Sequence, residues 1–257
     1  MPIVNRIVLN KYNDPKDEAN FELGKIYKKK LATNFFKIFY YTSISIFAYI
    51  TLNQLKYFPI SLGGEGALKN MFLPGYPHSL FHTKPEYFDV YYMTGLGFNI
   101  TDLVWLIFIY ELQTDFKMML LHHLCTISLI TFSYISNYSN IGCVILFLHD
   151  FGDIFVYLAR IVINIEVKSP FKIGSGILLV IVLLYTRIYV LGEVLYTIWN
   201  YVTWEWNAVE NCLFTFVCFL YMLHINWVYI IFRKIYSGMF ENKIEDSSQV
   251  KKVSKSN

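Results

Sequence analysis

The chain has 257 residues, of which 55% are hydrophobic, 19% aromatic and only 16% charged, with a net charge of +3. An ordinary soluble domain is about 45–50% apolar and about 25% charged, while mean hydropathy here is +0.40. Composition therefore excludes a typical water-soluble globule. Long apolar runs separated by short polar gaps indicate an all-α polytopic membrane protein.

Residues 1–32 form a basic segment with no long apolar run. No cleavable secretory signal is read there, and the first apolar segment is expected to act as a signal-anchor. Six spans are expected near 33–52, 87–110, 118–137, 141–163, 173–200 and 208–234. Each is long enough to cross a core of about 30 Å at about 1.5 Å per residue. The second is the most polar, with Asp89, Gly95, Gly97 and Asp102. Segment 53–86 holds Pro59, Gly63, Gly64, Gly66, Pro74, Gly75, Pro77 and Pro85, and reads as an irregular lumenal loop. Residues 237–257 read as a polar, disordered cytosolic tail.

The segments assigned to the cytosol carry 16 Lys or Arg, against Lys56, Lys69 and Lys84 on the opposite side. That bias places both termini in the cytosol. Trp199, Trp204 and Trp206 would then form an aromatic belt at the lumenal end of the last two spans. The basic flanks are read as membrane anchors, with no nucleic acid as partner. Cys125, Cys143, Cys212 and Cys218 lie in apolar segments without a CxxC pair, so free thiols are expected.

The informative residues are ionisable groups at bilayer depth, each costing about 2.5–3.5 kcal/mol at a helix centre. His122 and His123 open the third span, and His149, Asp150 and Asp153 lie on the fourth. Asp102, Arg187 and His224 lie on the second, fifth and sixth. From helical rise, His122 and His123 come out roughly 6–8 Å from the cytosolic end, Asp153 about 15 Å and His149 about 21 Å. His149, Asp150 and Asp153 form one stripe by spacing, whereas His122 and His123 diverge by about 100°. One of that pair can aim at a substrate while the other braces a neighbouring helix. Arg187 suits a counter-charge for the carboxylates, and Asp102 or His224 alone suits an interhelical hydrogen bond. The chain has six histidines, two of them (His78 and His82) in the loop, too few for a histidine-rich metal oxygenase; no metal and no cofactor are expected. A proton-coupled transporter could also use such groups.

From Met118 to Arg160 the chain resembles the ceramide synthases, the longevity-assurance family within the TLC-domain superfamily. The residues that carry the resemblance are His122-His123, Thr126, Leu148-His149-Asp150, Asp153 and Ala159-Arg160. Thr186-Arg187 and Leu223 to Lys234, with Trp227, match later family features. The likeness runs over about 33–236. It implies a six-helix TLC-domain bundle with a central cavity. The implied activity is sphingosine or sphinganine N-acyltransfer, moving a fatty acyl group from acyl-CoA as co-substrate to the amine of a sphingoid base. The implied catalytic set is His122, His123, His149, Asp150 and Asp153, supported by Asp102, Arg187, His224 and Trp227. Imidazole titrates near neutrality and can act as base or as acyl acceptor. Asp150 or Asp153 is expected to orient an imidazole. The implied setting is the endoplasmic reticulum membrane, among membrane lipids, with a homo- or hetero-dimer left open. The alternative is a non-catalytic TLC-domain protein, such as a lipid sensor or a cargo- or translocon-associated component.

Overall fold

The computed structural model describes residues 18–72, 84–108, 115–165, 169–201 and 208–241. Helix α1 spans Glu18–Leu52, α2 Phe88–Phe108, α3 Phe116–Ile135 and α4 Ser139–Asn164. Helix α5 (Ser169–Leu183) runs through a π-helical stretch, Leu184–Val190, into α6 (Leu191–Tyr201), and α7 is Ala208–Glu241. The protein is an all-α polytopic membrane protein. Among the described residues, five helical segments are long and apolar enough to cross a bilayer: Tyr27–Leu52, Phe116–Ile135, Ser139–Asn164, Pro170–Asn200 and Ala208–Ser237. The span expected at 87–110 corresponds to α2, whose 21 residues measure about 31 Å. Its polar residues leave it outside that set of five.

Two boundaries differ from the sequence reading. Helix α1 begins at Glu18, well before residue 33, because its Glu- and Lys-rich start favours helix without being apolar. Helix α7 continues to Glu241, past the expected start of the tail at 237. The residues beyond it, Trp204, Trp206, His78 and His82, and Pro74, Gly75 and Pro77, lie outside the described residues.

Helix α4 is the core of the bundle, with 61% of its most apolar stretch buried against 17–44% for the other four. It packs along α1 and α5, while α3 packs on α2 and α7. The α3–α4 connection is three residues. Asn137 takes φ of 63°, and Tyr138 N–H donates to Ser133 O at 2.7 Å while Asn137 N–H donates to Tyr134 O at 3.2 Å. This is a Schellman ending with asparagine in the left-handed position, where its short side chain is tolerated. It turns α4 back against α3 and sets the histidines of α3 against those of α4. Gly142 makes that crossing close: a Cβ there would lie 1.9 Å from Tyr92 Oη, whose hydroxyl is 2.6 Å from Ser133 Oγ.

The described part of the 53–86 loop is ordered. Two short 3₁₀ turns, Ile60–Leu62 and Leu68–Met71, fold over one end of the bundle. Phe58 and Met71 are fully buried, and Phe58 meets Phe147 of α4 edge-on at 5.2 Å. Gly66 lets the chain double back, since a Cβ would stand 2.3 Å from Lys56 O.

Candidate active site

Adjacent positions on α3 send His122 and His123 to different neighbours. His122 turns to the bundle centre. Its ring lies 6.0 Å from that of His149 on α4, 5.7 Å from that of His224 on α7 and 5.0 Å from the Trp227 indole. His123 turns towards α2, with Nε2 3.6 Å from Asp102 Oδ2. The rise estimate separates His122 from His149 by more than two helical turns of depth. The observed 6.0 Å shows that tilt and offset of α3 against α4 bring them level.

His149 and His224 form a direct pair, Nε2 to Nε2 at 2.8 Å. His149 Nδ1 lies 2.6 Å from Ile145 O, a carbonyl that can only accept, so the Nδ1 proton is fixed. With His149 neutral, its Nε2 is then the acceptor; a proton on His224 Nε2 completes this pair, whereas one on His224 Nδ1 leaves Nε2 to accept from Arg187 Nη1 at 3.3 Å.

Arg187 comes from the π-helical stretch, where a widened turn alters the register at which side chains face α4, a distortion common at functional sites. It is only 3% exposed. Its Nη2 donates to Asp153 Oδ1 at 2.6 Å and to His149 O at 2.9 Å, and Nη1 lies 3.3 Å from His224 Nε2. Arg187 thus pairs with Asp153, and it also clamps the backbone that carries His149.

The acidic stripe does not act as one unit. Asp150 accepts a hydrogen bond from Tyr91 Oη at 3.0 Å, and Asp153 is taken by Arg187. Three residues on a helix subtend about 300°, which is enough to hand the two carboxylates to different neighbours. The carboxylate beside an imidazole is Asp102, not Asp150 or Asp153 as expected from the sequence.

Asp102 has a partner that the sequence reading passed over. Lys37 of α1 is buried, with Nζ 2.6 Å from Asp102 Oδ1, 2.7 Å from Oδ2 and 3.0 Å from Tyr157 Oη. Its signal was present, a lone cation in the apolar run TNFFKIFYY. Tyr91 and Tyr157 gave none, being two of 21 tyrosines.

Two cavities meet at this cluster. The outer one, about 210 Å³, is lined by His122, His123, Asp102, Asp150, Asp153, Arg187, His224 and Trp227, and extends past Arg160 and Lys172 to Lys234. An inner one, about 70 Å³, runs between Ile130, Ile141, Leu213 and Phe214 to Glu210. Thr126, Leu146 and His149 line both. Every expected site residue therefore borders one space. Nδ1 of His122 and Nδ1 of His123 are buried without a hydrogen-bond partner among the described residues. Also among the described residues, no group of three or more His, Cys, Asp or Glu side chains is arranged to hold a metal.

A family model for the TLC domain matches residues 30–233, most of the chain and every residue of this cluster. The chain belongs to the TLC-domain family. This TLC-domain chain is 30% identical over 150 residues to "Ceramide synthase 5" of Homo sapiens, covering 55% of this chain and 37% of that protein. It is 28% identical over 178 residues to "Ceramide synthase hyl-2" of Caenorhabditis elegans, covering 65% and 54%. It is 27% identical over 151 residues to "Ceramide synthase LOH2" of Arabidopsis thaliana, covering 55% and 50%. The chain thus spans about half the length, or less, of these curated relatives.

Proposed function

We propose that this protein is a ceramide synthase, an N-acyltransferase that moves a fatty acyl group from acyl-CoA to the amine of a sphingoid base. The observation that carries the reading is the position of His122. Its ring is set among His149, His224 and Trp227 on a cavity wall, with a buried ring nitrogen that has no partner among the described residues. Relatives named ceramide synthase support the substrate class.

In the proposed sequence, a lone pair of the His122 imidazole attacks the thioester carbonyl. The C–S bond breaks, and CoA leaves as a thiolate that takes up the proton released by the imidazole. The neutral amine of the sphingoid base then attacks the acyl-imidazole. Its proton passes to the His122 nitrogen as the C–N bond to His122 breaks, leaving the amide and a neutral imidazole. His123, braced by Asp102, assists or positions, and the His149–His224 pair offers a route for the proton. The basic side chains Arg160, Lys172 and Lys234 along the outer cavity suit an anionic head group such as that of CoA. We place the protein in the endoplasmic reticulum membrane with six spans and both termini in the cytosol.

The test is to incubate membranes containing the protein with labelled sphinganine and a panel of acyl-CoAs, reading products by mass. A ceramide product is expected from the wild type, and none from His122→Ala at equal protein level. Full turnover by His122→Ala removes that imidazole from the reaction. Absence of ceramide with every acyl-CoA removes the proposed activity.

A further inference from the structure

Six of the nine other threonines in the described helices donate the hydroxyl to the carbonyl four residues earlier, at 2.7–2.9 Å. Thr126 differs in being buried without such a bond. That back-bond is the usual way for a threonine to satisfy its hydroxyl inside a helix. Thr126 is 7% exposed, and its Oγ1 has no partner among the described residues. A buried, unsatisfied hydroxyl costs about 1–3 kcal/mol, so this one stands ready for a group that the free protein lacks.

Its position identifies the group. Thr126 is one turn along α3 from His122 and on the same face. It lies where the outer cavity passes into the inner one, and it borders both, as His149 does. The inner cavity is walled mostly by Leu, Ile and Phe and suits an alkyl chain. A chain seated there leaves its carbonyl at the junction, between the imidazole of His122 and the hydroxyl of Thr126. Carbonyl oxygen is an acceptor, and attack on the carbon gathers negative charge on it.

We infer that Thr126 is a catalytic residue whose hydroxyl donates a hydrogen bond to the acyl carbonyl oxygen, and more strongly to the oxyanion formed when the carbon is attacked. This rests on the acyl-transfer reading above. The C=O π pair moves to oxygen as the new bond to carbon forms, and returns as the leaving group departs. The hydroxyl keeps its proton throughout. Preorganised donors of this kind are effective because they meet charge only as it develops.

The experiment compares Thr126→Val, which keeps the shape and loses the hydroxyl, with Thr126→Ser, which keeps the hydroxyl. Membranes holding equal amounts of each are assayed with palmitoyl-CoA and sphinganine for kcat and KM, and the purified proteins are heated in detergent without substrate. Removing one such donor lowers kcat by about 10²–10³-fold. That loss is expected in Thr126→Val, with KM for acyl-CoA changed by less than about threefold. Thr126→Ser should stay within about tenfold of wild type. The free Thr126→Val protein should be at least as heat-stable as wild type, because no bond is lost. Wild-type kcat in Thr126→Val, an equal loss in both variants, or a marked loss of stability or folding in Thr126→Val overturns the assignment alone. A wild type that makes no ceramide overturns the acyl-transfer reading and this assignment together.

Discussion

Replacing Lys37 by Met removes a cation from a site where Asp102 depends on it. Asp102 is 7% exposed and held at 2.6 and 2.7 Å by Lys37 Nζ, while the nearer ring nitrogen of His123 is at 3.6 Å. Breaking a buried ion pair from one side costs about 3–5 kcal/mol, because the remaining charge is stranded. At about 1.4 kcal/mol per tenfold, the ratio of folded to unfolded protein falls by roughly two to three and a half orders of magnitude. Removing both charges is far cheaper, since a neutral pair of similar volume often replaces an ion pair without loss. Lys37→Met combined with Asp102→Asn should therefore be more stable than Lys37→Met alone. Heating wild type, both single variants and the double variant in detergent, and following the monodisperse fraction by size-exclusion chromatography, gives the cycle. Additive effects of the two substitutions, with no coupling between them, would refute the reasoning.

Three further outcomes follow from close contacts. Gly142→Ala should destabilise by about 1–3 kcal/mol through the overlap with Tyr92 Oη, and adding Tyr92→Phe should recover part of it in the same heating assay, the rest remaining because Ser133 Oγ is still 2.9 Å from the new Cβ. Tyr91→Phe leaves Asp150 without the hydroxyl now 3.0 Å away, and should cost about 1–3 kcal/mol by the same measurement. Gly152→Ala would place a Cβ 3.1 Å from Arg187 Nε and 3.3 Å from Thr186 Oγ1. The Arg187 side chain has to give by a few tenths of an ångström, which shifts its hold on Asp153 and on His149 O, so the proposed ceramide synthesis should fall below wild type while the thermal midpoint moves little.

The helices and the identity of the clustered residues were legible because both signals are local. Apolar runs of spanning length mark the helices, and a charge inside one marks an expense that needs a reason. Divergence of His122 and His123 also followed from helix geometry. Their partners did not, because Lys37–Asp102, Tyr91–Asp150 and Lys37–Tyr157 join residues 65, 59 and 120 positions apart. Such pairings depend on tilt and offset between helices, which leave no mark in spacing. The π-helical stretch that aims Arg187 was equally hidden, since Leu-Tyr-Thr-Arg-Ile-Tyr-Val contains neither proline nor glycine. Asp150 and Asp153 were assigned too simply. Three-residue spacing is compatible with one face or with two neighbours, and the placing of α2 and of the π-helical stretch against α4 decided between them.

The 65-residue separation of Lys37 from Asp102 also has a bearing on biosynthesis. At about 5–20 residues per second, the ribosome delivers the counter-ion roughly 3–13 s after the cation. During that interval α1 cannot settle at its final depth without stranding an ammonium in hydrocarbon. It has to linger near a wet interface, with the long lysine stem reaching outward, until α2 arrives. Assembly of the first two helices is therefore a joint event, and a block to elongation between them should leave α1 extractable from the membrane.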